Sequence, residues 1–239
     1  MKTIHFSKCL GLAFAFTFIT LSGFSQSQQQ ESLEKLKTGN QRFCSGQMLH
    51  NNQDQATVAN LKTAQHPFAI VISCSDSRVT PEIVFDQGLG DIFSIRTAGN
   101  VMSDYEEGSI EYAAEHLKTP LVVVMGHLGC GAVKAFLDYA ENKRNHRNEL
   151  EHGGANEHKE IAGHIQHILS KLENEEEEKE VLAQPGDHYD LAVLANVING
   201  VKQLRKSDPI LSKMYKAGEI NIVGAVYHIE NGEVEFLEM

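Results

Sequence analysis

Two short apolar runs constrain the fold of this chain more than any other feature of its sequence. Residues 68–73 read Phe-Ala-Ile-Val-Ile-Ser, and residues 121–125 read Leu-Val-Val-Val-Met. Runs of this length that are rich in β-branched side chains are typical of strands covered on both faces, as in the parallel sheet of an α/β protein. We therefore predict two central strands at these positions.

The segments around these runs extend the same pattern. Residues 91–96 and 220–229 predict two further strands, and apolar spacing over residues 109–117 predicts a helix before the second run. Strand, helix and strand in this order indicate right-handed βαβ units, so the predicted fold class is α/β, a mainly parallel β-sheet flanked by helices. An Asn-Gly pair before residues 234–237 favours a hairpin, which makes the last strand an antiparallel edge strand.

The N-terminus has the pattern of an export signal. Lys2 and Lys8 precede an apolar stretch over residues 9–21, and the small residues Gly23 and Ser25 suit a cleavage site. We therefore expect residues 1–25 to be a signal peptide and the mature protein to be exported, to the periplasm. An uncleaved membrane anchor is the alternative, but the stretch is shorter than the roughly 20 residues that a spanning helix needs.

The rest of the 239-residue chain is expected to hold one core. Residues 26–66 predict an N-terminal helical arm, with one helix over residues 31–46 and another around residues 58–64. Residues 67–239 predict the α/β catalytic domain. Within it, the charged and His-rich residues 141–184 predict a helical insertion, followed by a helix from about residue 191 to residue 204.

Composition narrows the classes of partner. A net charge of −11 argues against nucleic acid, and against a membrane surface once the signal is removed, because both need a concentrated positive field. A small-molecule substrate is the better expectation. Of the four cysteines, Cys9 leaves with the signal, and the odd number that remains argues against a disulfide framework. We expect Cys44 to be a buried thiol.

The ends of the two central strands carry the chemistry of the chain. Cys74 and Asp76 follow the first strand, and His127 and Cys130 follow the second. Carboxyl ends of parallel strands meet at one edge of the sheet, so these side chains should converge there. Two thiolates, an imidazole and a carboxylate match the preferences of Zn²⁺. Each pair alone is weak evidence, but both pairs together predict one zinc site.

Arg78 adds a second role to this site. Zn²⁺ with two thiolates is already neutral, so a bound Asp76 would make the site anionic and oppose the ionisation of a water ligand. If Arg78 pairs with Asp76 and keeps it off the metal, a water can take the fourth position and lose a proton near neutral pH. The same residues can thus form a closed or an open zinc site.

These motifs resemble those of the β-class carbonic anhydrases, Cys-x-Asp-x-Arg at residues 74–78 and His-x-x-Cys at residues 127–130. Further similarity lies in Asn-Gln-Arg-Phe at residues 40–43, Arg-Thr-Ala-Gly-Asn at residues 96–100 and Gly-Ala-Val-Tyr at residues 224–227. The resemblance covers about residues 31–237 and is weakest in the acidic insertion.

The resemblance implies reversible hydration of CO₂ to bicarbonate and a proton by zinc-bound hydroxide, with one Zn²⁺ per subunit of a homodimer or a dimer of dimers. It assigns Cys74, His127 and Cys130 as permanent ligands, Asp76 as a ligand of the closed state, and Asp76 with Arg78 as the catalytic pair. It places four residues in contact with substrate, with the glutamine commonly reaching across the dimer interface: Gln65, Val79, Phe93 and Tyr112.

One departure concerns a regulatory bicarbonate site that some members build from a tryptophan, an arginine and a tyrosine. This chain has no tryptophan, and Val71 stands at the matching position, although Arg96 and Tyr227 match the other two. The always-open subclass is therefore favoured. Two alternatives to the carbonic anhydrase reaction remain: hydrolysis of another small heterocumulene such as CS₂, and a noncatalytic zinc-binding protein on the same fold.

Overall fold

A computed structural model describes residues 10–151, 163–183 and 188–238, with side chains described from residue 25 onward except at residues 148–151 and 176–178. Nine α-helices and five strands lie in this part of the chain. In order they are α1 (Leu10–Ser45), α2 (Gln55–Asn60), β1 (Ala69–Cys74), α3 (Pro81–Val84), β2 (Ile92–Thr97), α4 (Asp104–Glu115), β3 (Leu121–His127), α5 (Gly131–Glu151), α6 (Ile165–Asn174), α7 (Glu176–Leu182), α8 (Tyr189–Lys206), α9 (Leu211–Lys216), β4 (Asn221–Tyr227) and β5 (Val234–Phe236).

The strands form one sheet in the order β2-β1-β3-β4-β5. The first four strands are parallel, and β5 pairs with β4 in antiparallel orientation at one edge. The predicted sheet and its antiparallel edge strand are confirmed. Strands β1 and β3 are buried along their whole length, as their continuous apolar sequence requires.

Helices cover both faces of the sheet. On one face, Ile70, Ile72 and Cys74 of β1 pack into a core cluster with residues of α4 and α8. On the other face, Ala69 and Val71 pack with Leu36 of α1. Because alternate residues of a strand point to opposite faces, Cys74 lies on the α4 and α8 side. Within the described residues, no helix is both long and apolar enough to cross a membrane.

The two helices predicted in the N-terminal arm have different limits in the structure. Helix α1 covers Leu10–Ser45 and so extends well before residue 31, since residues 10–45 contain no proline to interrupt it. It spans the predicted cleavage site. The second arm helix covers Gln55–Asn60 and not residues 58–64, because Asp54 caps it by accepting from the Thr57 amide at 2.8 Å.

One later helix also begins earlier than predicted, and another runs into the region predicted as an insertion. Helix α4 begins at Asp104, five residues earlier than predicted, because Ser103 and Glu106 form a capping box. The region predicted as an insertion from residue 141 begins inside a helix, since α5 runs unbroken from Gly131 to Glu151. Helices α6 and α7 account for much of the remainder, while residues 152–162 and 184–187 lie outside the described residues.

Candidate metal centre

Three potential metal ligands meet at the carboxyl edge of the sheet. Cys74 is the last residue of β1, His127 is the last residue of β3, and Cys130 directly precedes α5. Strands β1 and β3 are adjacent and parallel, which brings their ends together. The sulfur atoms and one imidazole nitrogen lie within 4.8 Å of one another, and all three side chains are buried. The predicted convergence of these three residues is confirmed.

The donor atoms fit a tetrahedral zinc ion. Cys74 Sγ and Cys130 Sγ are 4.0 Å apart, close to the roughly 3.8 Å expected for two sulfurs that each lie about 2.3 Å from such an ion. His127 Nδ1 lies 2.9 Å from the Leu128 carbonyl oxygen. Because a carbonyl only accepts, Nδ1 carries the proton and Nε2 presents its lone pair. Buried Nε2 has no hydrogen-bond partner among the described residues, as expected of a metal ligand.

The surroundings of Cys74 favour its thiolate. Hydrogen bonding from the Cys130 thiol is the largest influence, and it lowers the pKa of Cys74 to about 4 in spite of burial. The backbone amides of Asp76 and Gly99 also donate to Cys74 Sγ, at 3.4 and 3.3 Å. In return, hydrogen bonding to Cys74 and burial raise the pKa of Cys130. The pair therefore holds a thiolate ready for a cation.

Asp76 lies beside the three ligands but is held by Arg78. Arg78 Nε donates to Asp76 Oδ1 at 2.9 Å and Nη2 donates to Oδ2 at 2.7 Å, while the Arg78 amide also donates to Oδ1 at 2.9 Å. These hydrogen bonds hold the pKa of Asp76 far below its usual range. Asp76 Oδ2 is 3.9 Å from His127 Nε2. Because Arg78 holds both of its oxygens, Asp76 has the arrangement expected of an open site.

Arg96 supports the loop that carries these residues. Its Nε donates to the Cys74 carbonyl at 3.1 Å, and its Nη2 donates to the Asp76 carbonyl at 2.6 Å. Sequence reasoning matched Arg96 to a regulatory site and missed this contact. The available signal was its place in the strand next to β1, where it pairs with Ser73. Tyr227, at the end of β4, is buried.

The residues expected to contact substrate lie in different surroundings within one chain. The rings of Phe93 and Tyr112 are 6.3 Å apart, and Tyr112 is half exposed. Val79 is buried with the cluster on the α1 side of the sheet. Gln65 is exposed in the loop after α2. Their roles toward substrate stay predictions.

Cys44 was expected to be buried, and that expectation is wrong. It is an exposed free thiol in the last turn of α1. Helical spacing keeps it near the face that buries Asn40 one turn earlier, but the helix ends at Ser45 and this turn is left open to solvent. Cys74 and Cys130 are also free thiols, so no disulfide joins these three cysteines.

Together, a parallel α/β sheet and a buried Cys₂His donor set at its carboxyl edge define a zinc protein of the catalytic type, in which three side chains bind the metal and a fourth position is left. A sequence model of the family described as carbonic anhydrase matches residues 69–234. The chain belongs to the carbonic anhydrase family.

Individual relatives agree with this assignment. The chain is 40% identical over 202 residues to a carbonic anhydrase of Mycolicibacterium smegmatis, covering 84% of this chain and 89% of that protein. Among solved structures, the β-carbonic anhydrase CcaA is 26% identical with a TM-score of 0.63 and covers 86% of this chain, which spans 95% of that structure. A Coccomyxa β-carbonic anhydrase in complex with acetazolamide is 27% identical, with a TM-score of 0.60 and 75% of each chain covered. The similarity to these structures places the chain in the β class.

Proposed function

We propose that this protein catalyses the reversible hydration of CO₂ to bicarbonate and a proton, with one Zn²⁺ held by Cys74, His127 and Cys130. The observation that carries the proposal is the bidentate pairing of Asp76 with Arg78 beside three converging ligands. A structural zinc site would use all four side chains around the ion. Here the fourth candidate ligand is held by a guanidinium, which leaves a position for the reaction.

Bound Zn²⁺ supplies a water whose pKa is lowered to near 7, and hence a nucleophile at neutral pH. Asp76 orients the reacting water. Because Arg78 keeps the Asp76 carboxylate ionised, this group accepts a hydrogen bond and cannot donate one. It therefore accepts a hydrogen bond from the reacting oxygen, without taking the proton, and directs the lone pair of that oxygen toward the carbon of CO₂. Arg78 also donates to the Gly129 carbonyl at 3.3 Å, which ties the loop of Asp76 to the loop of Cys130.

The wall for CO₂ is proposed to consist of Val79, Phe93 and Tyr112, with Gln65 donating a hydrogen bond to the substrate. Apolar and aromatic groups suit an uncharged substrate, and one amide donor suits an oxygen that gains negative charge. The exposure of Tyr112 and of Gln65 in a single chain supports a site completed at an interface. We therefore propose a homodimer or a dimer of dimers in which Gln65 is supplied across the interface.

The dimer proposal has a direct test. Light scattering coupled to size-exclusion chromatography should give a mass of two or four chains. Gln65→Ala should lower the rate of CO₂ hydration without changing that mass. A fully active monomer would overturn the proposal of a shared site.

We also propose that the protein is exported after cleavage near residue 25. The support is the sequence pattern of Lys2, Lys8 and the apolar stretch that follows. Fractionation of the producing cells and N-terminal sequencing of the protein test it. A chain that keeps residue 2 and stays in the cytoplasm would contradict export.

The reaction itself is tested by stopped-flow measurement of CO₂ hydration by the zinc-loaded protein at pH 8.5, with CS₂ turnover measured on the same sample. We expect rapid CO₂ hydration and little CS₂ turnover. A rate no greater than that of buffer would overturn the enzyme proposal, and preference for CS₂ would change its substrate.

A further inference from the structure

One face of helix α8 contacts the segments that carry the metal ligands. The first contact is with β3, where Gly126 precedes His127. A Cβ atom on Gly126 would lie 2.6 Å from Val197 Cγ2 and 3.3 Å from Val193 Cγ1. Helix α8 and strand β3 are thus too close at this point for any side chain larger than that of glycine, and the contact lies next to His127.

The second contact leads to Cys74 through a glycine. Asn196 is 4% exposed, and its Nδ2 donates to the Gly99 carbonyl at 2.7 Å. The Gly99 amide in turn donates to Cys74 Sγ at 3.3 Å. Gly99 has φ +68°, and a Cβ atom there would lie 3.0 Å from Ala132 Cβ, so the position requires glycine. A flexible residue therefore presents its N–H to the sulfur, and Asn196 restrains the peptide that follows it.

The third contact leads to Cys130. Tyr189 Oη donates to the Cys130 carbonyl at 2.8 Å. Tyr189 and Asn196 are seven residues apart, two helical turns, and therefore share one face of α8. The same face includes Val193, which packs against Gly126. A single rigid helix thus touches the chain beside all three ligands.

We propose that α8 positions the metal ligands and that Asn196 is the positioning residue that holds the Gly99 N–H on the sulfur of Cys74. The inference rests on the proposed zinc site and assigns no catalytic step to Asn196. An N–H donor fixes the orientation of a thiolate and withdraws charge from its sulfur, and such outer partners typically change metal affinity or activity by about 10- to 100-fold. The Asn196 amide acts one hydrogen bond further out, through Gly99.

The first test compares zinc affinity by competition with a chromophoric chelator. Asn196→Ala removes the donor, and Asn196→Leu removes it while keeping the branching of the side chain at Cγ. We expect both to weaken zinc binding by about tenfold or more. The control is Val201→Ala, which removes a buried side chain from the same helix. It should lower the melting temperature and leave zinc affinity within twofold of the wild type.

The second test observes the hydrogen bond itself, first in the wild-type protein and then in the Asn196 variants. In ¹⁵N-labelled protein loaded with ¹¹³Cd²⁺, the Gly99 amide proton should show a scalar coupling to the cadmium nucleus through Cys74 Sγ. We expect this coupling to vanish or weaken in the Asn196 variants. No coupling in the wild type, or an unchanged coupling in Asn196→Ala with zinc affinity within twofold of the wild type, would overturn the inference.

The outcomes separate this inference from the proposed function. Wild-type protein that binds zinc but does not hydrate CO₂ would overturn the proposed activity and leave the role of Asn196 intact. Active wild-type protein whose Asn196 variants bind zinc unchanged would overturn only the positioning role. Failure of the wild type to bind zinc would overturn both.

Discussion

Arg78 holds both carboxylate oxygens of Asp76, and that carboxylate lies 3.9 Å from the metal-binding nitrogen of His127. Two cations can therefore compete for Asp76, the guanidinium and a bound metal ion. Bidentate pairing with arginine is stronger and more directional than a single ion pair. The geometry favours the guanidinium, which keeps the carboxylate available to the reacting water.

Replacing Arg78 should shift this competition toward the metal. In Arg78→Ala, Asp76 is free to bind zinc, and we expect CO₂ hydration to fall by about 100-fold or more, as for the loss of a positioned acid-base group. Arg78→Lys should restore little of the CO₂ hydration rate, because an ammonium group cannot pair with both carboxylate oxygens of Asp76 in one plane as a guanidinium does. Stopped-flow rates and zinc content measure both effects. Near wild-type rates in Arg78→Ala would show that the pairing is dispensable.

Asp76→Asn separates the two roles of the carboxylate. The amide has the same shape but can turn a donor toward the reacting water, so turnover should fall by about 10²- to 10⁴-fold. Zinc should stay bound at one ion per chain, because Cys74, His127 and Cys130 are unchanged. Metal analysis after gel filtration gives the zinc content. Loss of zinc would instead make Asp76 a structural ligand.

The buried carboxylate of Asp86 should make the stability of the fold depend on pH, independently of the metal site. Burial tends to raise its pKa, but hydrogen bonds from the amides of Leu49 and His50 and from Arg42 outweigh burial and lower it. An acid with a lowered pKa stabilises the fold above its unfolded pKa of about 3.9, and this stability is lost as pH falls through the folded pKa.

We expect Asp86→Asn to lower the free energy of unfolding by roughly 2–4 kcal/mol at pH 7, because it removes a buried charge with several donors. The difference from the wild type should hold down to about pH 4 and shrink at lower pH. Urea denaturation at several pH values measures it. Asp138→Asn, which removes an exposed carboxylate paired with Lys134, should change stability by less than about 1 kcal/mol. A difference that grows below pH 4 would contradict the prediction.

Cys44 should react with thiol reagents in the folded zinc protein, whereas Cys74 and Cys130 should react only after the metal is removed. Cys44 is exposed, but partial burial of its thiol and the negative charge of Glu233 raise its pKa. Fewer thiolates are present at a given pH, so its reaction should be slower than that of a free cysteine with a pKa near 8.5. Mass spectrometry of labelled peptides identifies each site, and Cys44→Ser provides the control. Early labelling of Cys74 would contradict metal protection.

The sheet and the three ligands could be predicted from the sequence because they depend on local patterns. A continuous apolar run identifies a strand buried on both faces, and the parallel order of the strands brings Cys74 and His127 to one edge. The extension of α1 to residues before Leu33 could not be predicted in this way, because the amphipathic pattern starts only at Leu33. The exposure of Cys44 could not be predicted either, because the residue follows the spacing of the buried face and is exposed only because the helix ends at Ser45.

Contacts between segments that are distant in the chain could not be predicted either, because a local sequence pattern does not identify the partner of a residue. Asn196 is a polar residue in an apolar stretch of α8, which signals a buried hydrogen bond but not its partner. The partner, Gly99, is 97 residues away. Arg96 likewise contacts backbone carbonyl groups, and because every residue has one, the sequence does not show which of them an arginine will contact.

Gly126 shows what such crowding means for sequence variation. The residue binds neither zinc nor substrate, yet any larger side chain must push α8 away from β3 beside His127. A saturation mutagenesis screen scored only by growth or activity would rank this glycine with the cysteine ligands. Intolerance to substitution alone would then wrongly identify Gly126 as a catalytic position, although it contributes only by lacking a side chain.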